Sequence, residues 1–243
     1  MIRKSITLNR PAFTQQVFDS SGLTVLTSLF YRFTHEGDFD MIVRNKQSVI
    51  LRCNVHVEGK SGRAQTTLDL AALEIPKEGL RLDVDSVLCF FVSKGTGRYT
   101  VTITEIGERQ KNTLLDNSEI VPEGGIFAVT LTRPGNYRMH LAQEHSDGKI
   151  HVRMPEQVPA AKGETYRTEQ AAVIEVDGKG NFKPNAVNIY SGQSVVFVCH
   201  APVRIQVVLE SEQDDDVKKP PFDRKPERRE KPDYRGKGDK KVD

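Results

Sequence analysis

Hydrophobic and polar positions alternate with a period of two along most of the chain. In Tyr99-Thr-Val-Thr-Ile-Thr-Glu-Ile the apolar residues fall on one face and the threonines on the other. That is the signature of an antiparallel strand with one wet face. Val, Ile, Thr, Phe and Tyr recur in such short runs, punctuated by Gly, Pro, Asn and Asp. The pattern predicts strands over 48–57, 66–70, 80–84, 86–92, 99–106, 125–132, 135–141, 149–153, 172–176, 186–190, 193–199 and 203–209. Short strands at this spacing argue for sheet-on-sheet packing. Helical patterning is scarce. Residues 11–33 have room for one short helix, and residues 23–33 read as a strand or a short amphipathic segment.

Two segments break the alternation. Residues 154–170 are polar with two prolines and read as a linker, and residues 211–243 hold 21 charged residues among 33. A segment that polar cannot bury enough surface to offset its ordering entropy, so the sequence predicts a disordered tail. The expected division is an N-terminal extension (1–33), a first β-sandwich (34–153), the linker (154–170), a second, partial sandwich (171–210) and the tail (211–243). Strands from the N-terminal part are expected to complete the partial sandwich, giving one discontinuous domain around a central one. An internal echo supports two related units. Leu80-Arg-Leu-Asp-Val-Asp-Ser-Val-Leu-Cys-Phe-Phe-Val resembles Val187-Asn-Ile-Tyr-Ser-Gly-Gln-Ser-Val-Val-Phe-Val-Cys.

Charge adds a polarity to this layout. The formal net charge is +2; residues 217–243 carry eleven basic and six acidic side chains, or +5, which leaves −3 for residues 1–216. Nothing here is basic enough to imply nucleic-acid binding. Cys53, Cys89 and Cys199 are far apart and set in apolar runs, which predicts buried free thiols on strands and fits a reducing compartment. Neither a secretory h-region nor an apolar run of membrane-spanning length is visible.

Two stretches resemble the cupredoxins, the plastocyanin-type sandwiches. One runs from Gly124-Gly-Ile-Phe through Arg133-Pro-Gly-Asn-Tyr137 to Gly148-Lys-Ile-His-Val152, similar to that family's closing strand, Pro-Gly-x-Tyr turn, ligand loop and last strand. The other, Phe182-Lys-Pro-Asn-Ala-Val-Asn-Ile-Tyr-Ser-Gly-Gln-Ser-Val-Val-Phe, is similar to its opening strands. The resemblance implies an all-β fold of one or two cupredoxin-like antiparallel sandwiches. It does not carry the copper. A type 1 site needs a Cys thiolate with two imidazoles, and the loop after Tyr137 (Met139-His-Leu-Ala-Gln-Glu-His-Ser-Asp-Gly) has none.

Candidate chemistry is correspondingly thin. His140, Glu144, His145 and His151 cluster in sequence and are conceivable zinc or Cu(II) ligands, though solvated loop residues account for them more simply. Glu74, Asp83 and Asp85 read as the wet face of alternating strands. The glycines of Lys94-Gly-Thr-Gly and Asp177-Gly-Lys-Gly lack the strand-to-helix setting of a phosphate cradle and read as hairpin turns. No nucleophile motif is present, so the expectation is a non-enzyme without metal, cofactor or small-molecule substrate. What remains is binding. Leu26, Phe30, Tyr31 and Phe33 near the N-terminus, and Phe222, Arg228, Arg229 and Tyr234 in the tail, are the candidate partner-binding residues. The expected role is a non-catalytic accessory or scaffold subunit. It would be cytoplasmic and bind other subunits of a larger complex, with a membrane-bound respiratory or photosynthetic assembly as one candidate. The alternatives are a metal-binding electron-transfer protein and a capsid or shell protein.

Overall fold

A computed structural model describes residues 10–61, 64–74, 78–107, 111–142, 146–155 and 170–212. The chain divides into a unit spanning Met1–Gln213 and a second, Asp214–Asp243, which lies outside the described residues.

Nearly every described element is a strand. A short helix α1 (Arg10–Thr14) leads to β1 (Val17–Asp19), β2 (Thr27–Arg32), β3 (Gly37–Asn45), β4 (Ser48–Ser61) and β5 (Gln65–Asp69). Then come β6 (Leu80–Val84), β7 (Val87–Phe91), β8 (Tyr99–Ile106), β9 (Lys111–Asp116), β10 (Ile126–Thr130) and β11 (Gly135–Leu141). The last are β12 (Asp147–Arg153), β13 (Ala172–Val176), β14 (Phe182–Lys183), β15 (Ala186–Tyr190), β16 (Ser194–Cys199) and β17 (Ile205–Glu212). The all-β expectation holds. Alternation located β6, β8, β11, β13 and β15 to the residue.

The strands form three sheets: a seven-stranded one in the order β14-β13-β16-β10-β2-β7-β5, and two five-stranded ones, β6-β4-β3-β8-β9 and β1-β17-β11-β12-β15. Each buries one face. In β3, Phe39, Met41 and Val43 are fully buried while their neighbours are not. In β11, Tyr137 and Met139 are buried between exposed Asn136 and Arg138. All these inward faces join one continuous core. Phe33, just after β2, meets Phe39 of β3 edge-on at a centroid distance of 5.1 Å, bringing the shared sheet against the first five-stranded sheet.

The two halves repeat one topology. In the shared sheet β2 pairs antiparallel with β7, and β7 parallel with β5. Likewise β10 pairs antiparallel with β16, and β16 parallel with β13. In the first five-stranded sheet β3 is flanked by antiparallel β4 and β8, with β6 parallel to β4 and β9 antiparallel to β8. The second repeats this as β11 flanked by β12 and β17, with β15 parallel to β12 and β1 antiparallel to β17. Strands β2 and β10 pair antiparallel and fuse the halves into one sheet. Sequence marks survive: Gly37-Asp-Phe-Asp-Met41 opens β3 and Gly135-Asn-Tyr-Arg-Met139 opens β11. The echo read in the sequence, residues 80–92 against 187–199, maps β6–β7 onto β15–β16.

The correspondence therefore runs β1–β8 onto β9–β13 and β15–β17, with β14 extra. Each repeat sends its first strand across: β9 pairs with β8, and β1 pairs with β17. This changes the expected division. Residues 1–33 are no extension, because β2 sits inside the shared sheet between β10 and β7. Strands β10–β12, placed with residues 34–153, pair instead with β13–β17. The expected linker lies almost wholly outside the described residues, and the strands on either side of it share both sheets of the second half. Nested domains are thus replaced by consecutive halves, with β1 crossing into the second half's own sheet and β2 joining β10 in the shared one.

Candidate functional site

Strand residues alternate between faces, so the residues that fill the core also define what points away from it. Leu29, Leu88, Phe90, Phe127, Val129, Ile174, Val195 and Phe197 of the shared sheet are fully buried. The intervening residues form the sheet's other face in two cross-strand rows. One row runs Val173, Val196, Ala128, Ser28, Phe91, Asp69. The other runs Glu175, Val198, Ile126, Phe30, Cys89, Thr67. Glu175, Asp69 and Thr67 stand at the row ends, and the positions between are apolar except for Ser28, with Ala128 and Cys89 buried. Val173 is 54% exposed, and Val196, Val198, Ile126, Phe30 and Phe91 are half-buried. An apolar middle with a polar rim is how a protein-binding patch is built.

Of the N-terminal candidates, this face gathers Phe30 alone. Phe33 is 1% exposed and belongs to the core. Tyr31 points to the inner side, edge-on to Phe33 at 5.1 Å. Burial, helped by the charge of Glu105, pushes its phenol up to about 12. Leu26 is half-buried in a turn at φ 68°. Phe222, Arg228, Arg229 and Tyr234 lie outside the described residues. Sequence reasoning missed Val173, Val196, Val198, Ile126 and Phe91. For Phe91, Val196 and Val198 a signal was available in the continuous apolar runs of β7 and β16, which suit strands shielded on both faces.

At one end of the patch Arg32 donates from Nε and Nη2 to Asp85 Oδ1 at 3.0 and 2.5 Å. A cleft of about 360 Å³ lies beside them, lined by Arg32, Ala64, Gln65, Asp85 and Val87.

The conceivable metal ligands do not converge where they are described. His140 pairs with Asp147 and His151 with Asn136, at opposite ends of the β11–β12 ladder. His151 Nδ1 lies 2.7 Å from Asn136 Oδ1. Glu144 and His145 lie outside the described residues. Among the described residues no group of three His, Cys, Asp or Glu side chains is placed to hold a metal ion. The three cysteines are free and buried, and burial pushes the Cys199 thiol up to about 12. Asp177 Oδ1 accepts the Lys179 and Asn181 amides, closing the turn between β13 and β14, which is the hairpin role expected of that glycine-rich segment. No helix among the described residues is long and apolar enough to cross a membrane.

The second cluster of interacting polar groups is internal. Asp19 ends β1 with its side chain 10% exposed. It accepts from Arg204 Nε at 3.1 Å and Nη2 at 2.6 Å, Gln206 Nε2 at 2.8 Å, Arg98 Nη2 at 3.3 Å and the Ser21 amide at 2.8 Å. Burial works to raise its pKa, but the Arg204 hydrogen bond, with those of Ser21 and Gln206, outweighs it and holds the carboxyl well below the usual range. The cluster ties β1 to the start of β17 and to the residue before β8. It holds the exchanged strand in place.

No family model matches the chain, and no curated protein or solved structure matches it.

Proposed function

We propose that this chain is a non-catalytic scaffold subunit that binds another protein through the outward face of its shared sheet. One observation carries the reading: Ile126 and Phe30 lie side by side where the halves join, and with Val196, Val198 and Phe91 they present an apolar surface made jointly by both halves. Burying such a surface is favourable at roughly 25 cal/mol per Å² before association costs. The partner belongs to a larger protein complex, a membrane-bound one being the case the sequence suggested. The cupredoxin-like reading of the fold belongs to the same proposal. In its favour, Tyr137 of the Pro-Gly-x-Tyr turn donates its hydroxyl back to the Arg133 carbonyl at 2.9 Å, the kind of corner that sandwiches use.

The test is Phe30→Lys combined with Ile126→Lys, compared with a chain lacking residues 213–243. Charging the middle of the patch should abolish co-purification with the native complex while thermal unfolding stays cooperative. A doubly charged variant that folds and is retained at the wild-type level contradicts the reading. Removing residues 1–33, by contrast, would be uninformative, because it deletes β1 and β2 from the sheets.

A further inference from the structure

The strand that completes the second half comes from a distant stretch of the sequence. Strand β9 reaches β8 from the next stretch of chain, whereas β1 joins β17 from a point some 185 residues away. Three register pairs hold it: Val17 with Val208, Phe18 with Val207, and Asp19 with Gln206. Phe18 is buried at 2% exposure, and Asp19 carries the arginine cluster described above. Beyond them, the Ser20 amide donates to the Ile205 carbonyl at 2.9 Å, and the Ile205 amide to Ser20 Oγ at 3.0 Å.

The connection from β1 to β2 is tight. A Cβ on Gly22 would lie 2.2 Å from Arg98 Nε, so the backbone passes hard against that side chain. The turn Thr24–Thr27, closed by the Thr27 amide on the Thr24 carbonyl at 3.1 Å, puts Leu26 at φ 68°. That conformation is normally left to Gly or Asn, and in a leucine it is strained. Short connections under strain favour strand exchange, since an opened hinge relaxes while the native contacts re-form on a neighbour.

We propose that β1 is an exchangeable strand, and that the β17 edge of one copy accepts β1 of a second copy of this chain. The partner is fixed by the edge itself. A vacated β17 presents unpaired backbone groups, the slot of Phe18, and Arg204 with Gln206 awaiting a carboxylate. A strand with the sequence Val-Phe-Asp satisfies all three. The inference stands apart from the sheet-face reading, because β1 lies in a different sheet.

Val17 and Val208 face each other across the ladder, so Val17→Cys with Val208→Cys reports where β1 sits. The native cysteines are buried and leave this pair free to react. After incubation of the folded full chain and mild oxidation, the interchain cross-linked fraction should rise about tenfold from dilute to concentrated protein, as mass action requires. Adding Leu26→Gly should lower that fraction at equal concentration by relaxing the closed form. The unsubstituted chain gives a second readout: copies carrying two different tags should form mixed dimers by native mass spectrometry after the same incubation. Intrachain cross-links at every concentration, with or without dimers, would overturn the proposal. So would tagged copies that remain monomeric.

Discussion

Arg98, one residue before β8, and Arg204, one residue before β17, both donate to the same carboxylate, that of Asp19. The repeat supplies a second acidic residue, Asp116, at the end of β9. Each acid caps its own turn: the Ser21 amide bonds Asp19 Oδ1 at 2.8 Å, and the Ser118 amide bonds Asp116 Oδ1 at 3.0 Å. The arginines are less evenly shared. Asp116 also accepts the Ser118 hydroxyl, while both guanidiniums turn to Asp19. The cation pair is thus concentrated on the strand that has to be held from afar.

Stability should depend on this carboxylate. Its folded pKa lies below the ordinary 3.8, so its contribution is complete above about pH 4 and is lost as pH falls through the folded value. Asp19→Asn should cost roughly 2 kcal/mol at neutral pH, and the acid limb of the stability profile should flatten. Arg204→Ala should cost more than Arg98→Ala, because Arg204 makes two bonds to the carboxylate and is 34% exposed, whereas Arg98 makes one at 3.3 Å and is 50% exposed. Urea unfolding from pH 7 down to about pH 2 measures all three; an acid limb in Asp19→Asn unchanged from the parent would contradict this role for Asp19.

Asp85 tests the repeat at the backbone level. It sits at φ 70°, and its counterpart in the second half is Gly192 at φ 89°. Asp85→Gly and Asp85→Ala both remove the exposed Arg32 pair, so their difference isolates the backbone. The glycine variant should be the more stable by about 1 kcal/mol. Equal stabilities would mean that the turn adjusts freely.

Thiol reactivity reports the packing. Cys53, Cys89 and Cys199 are buried on strands, and burial raises the pKa of each. A thiol held protonated by burial does not react as a thiolate. Iodoacetamide at pH 8 should leave all three unmodified in the folded chain and label all three in denaturant. Rapid native labelling of Cys199 would show that the shared sheet opens.

The Tyr137 hydroxyl bonds the Arg133 carbonyl from a ring that is 1% exposed. Burial pushes its phenol up to about 12. Tyr137→Phe should destabilise by about 1 kcal/mol with no change of fold, read from thermal unfolding and the far-ultraviolet spectrum.

Much of the fold was legible because the strands carry their period openly. From Tyr99 to Thr104 the strand alternates without a break, apolar residues on the buried face and threonines on the other. Strand β3 was missed because Gly37, Asp38 and Asp40 dilute its apolar set, although Phe39, Met41 and Val43 keep the period. Strand β1 was missed because three residues carry no period at all. The division into halves was not legible either. Alternation says which residues face inward, but nothing in it says which strand lies beside which. The pairing of β2 with β10, and the crossing of β1 and β9, are set by contacts distant in sequence. The same limit hid the apolar face: Phe30 stood out as an aromatic near the N-terminus, whereas Ile126 and Val198 gain meaning only when the register places them beside it.

Two repeats are joined by strands that each lends to the other, and dividing the chain between them puts this to the test. Residues 1–107 and 108–243 are to be purified as separate pieces and mixed, with sedimentation and unfolding followed before and after. The account predicts that neither piece alone gives a cooperatively folded monomer, because one lacks β9 and the other lacks β1. Mixed, they should form a one-to-one complex that unfolds in a single transition. Two pieces that each fold as stable monomers and ignore each other would contradict it.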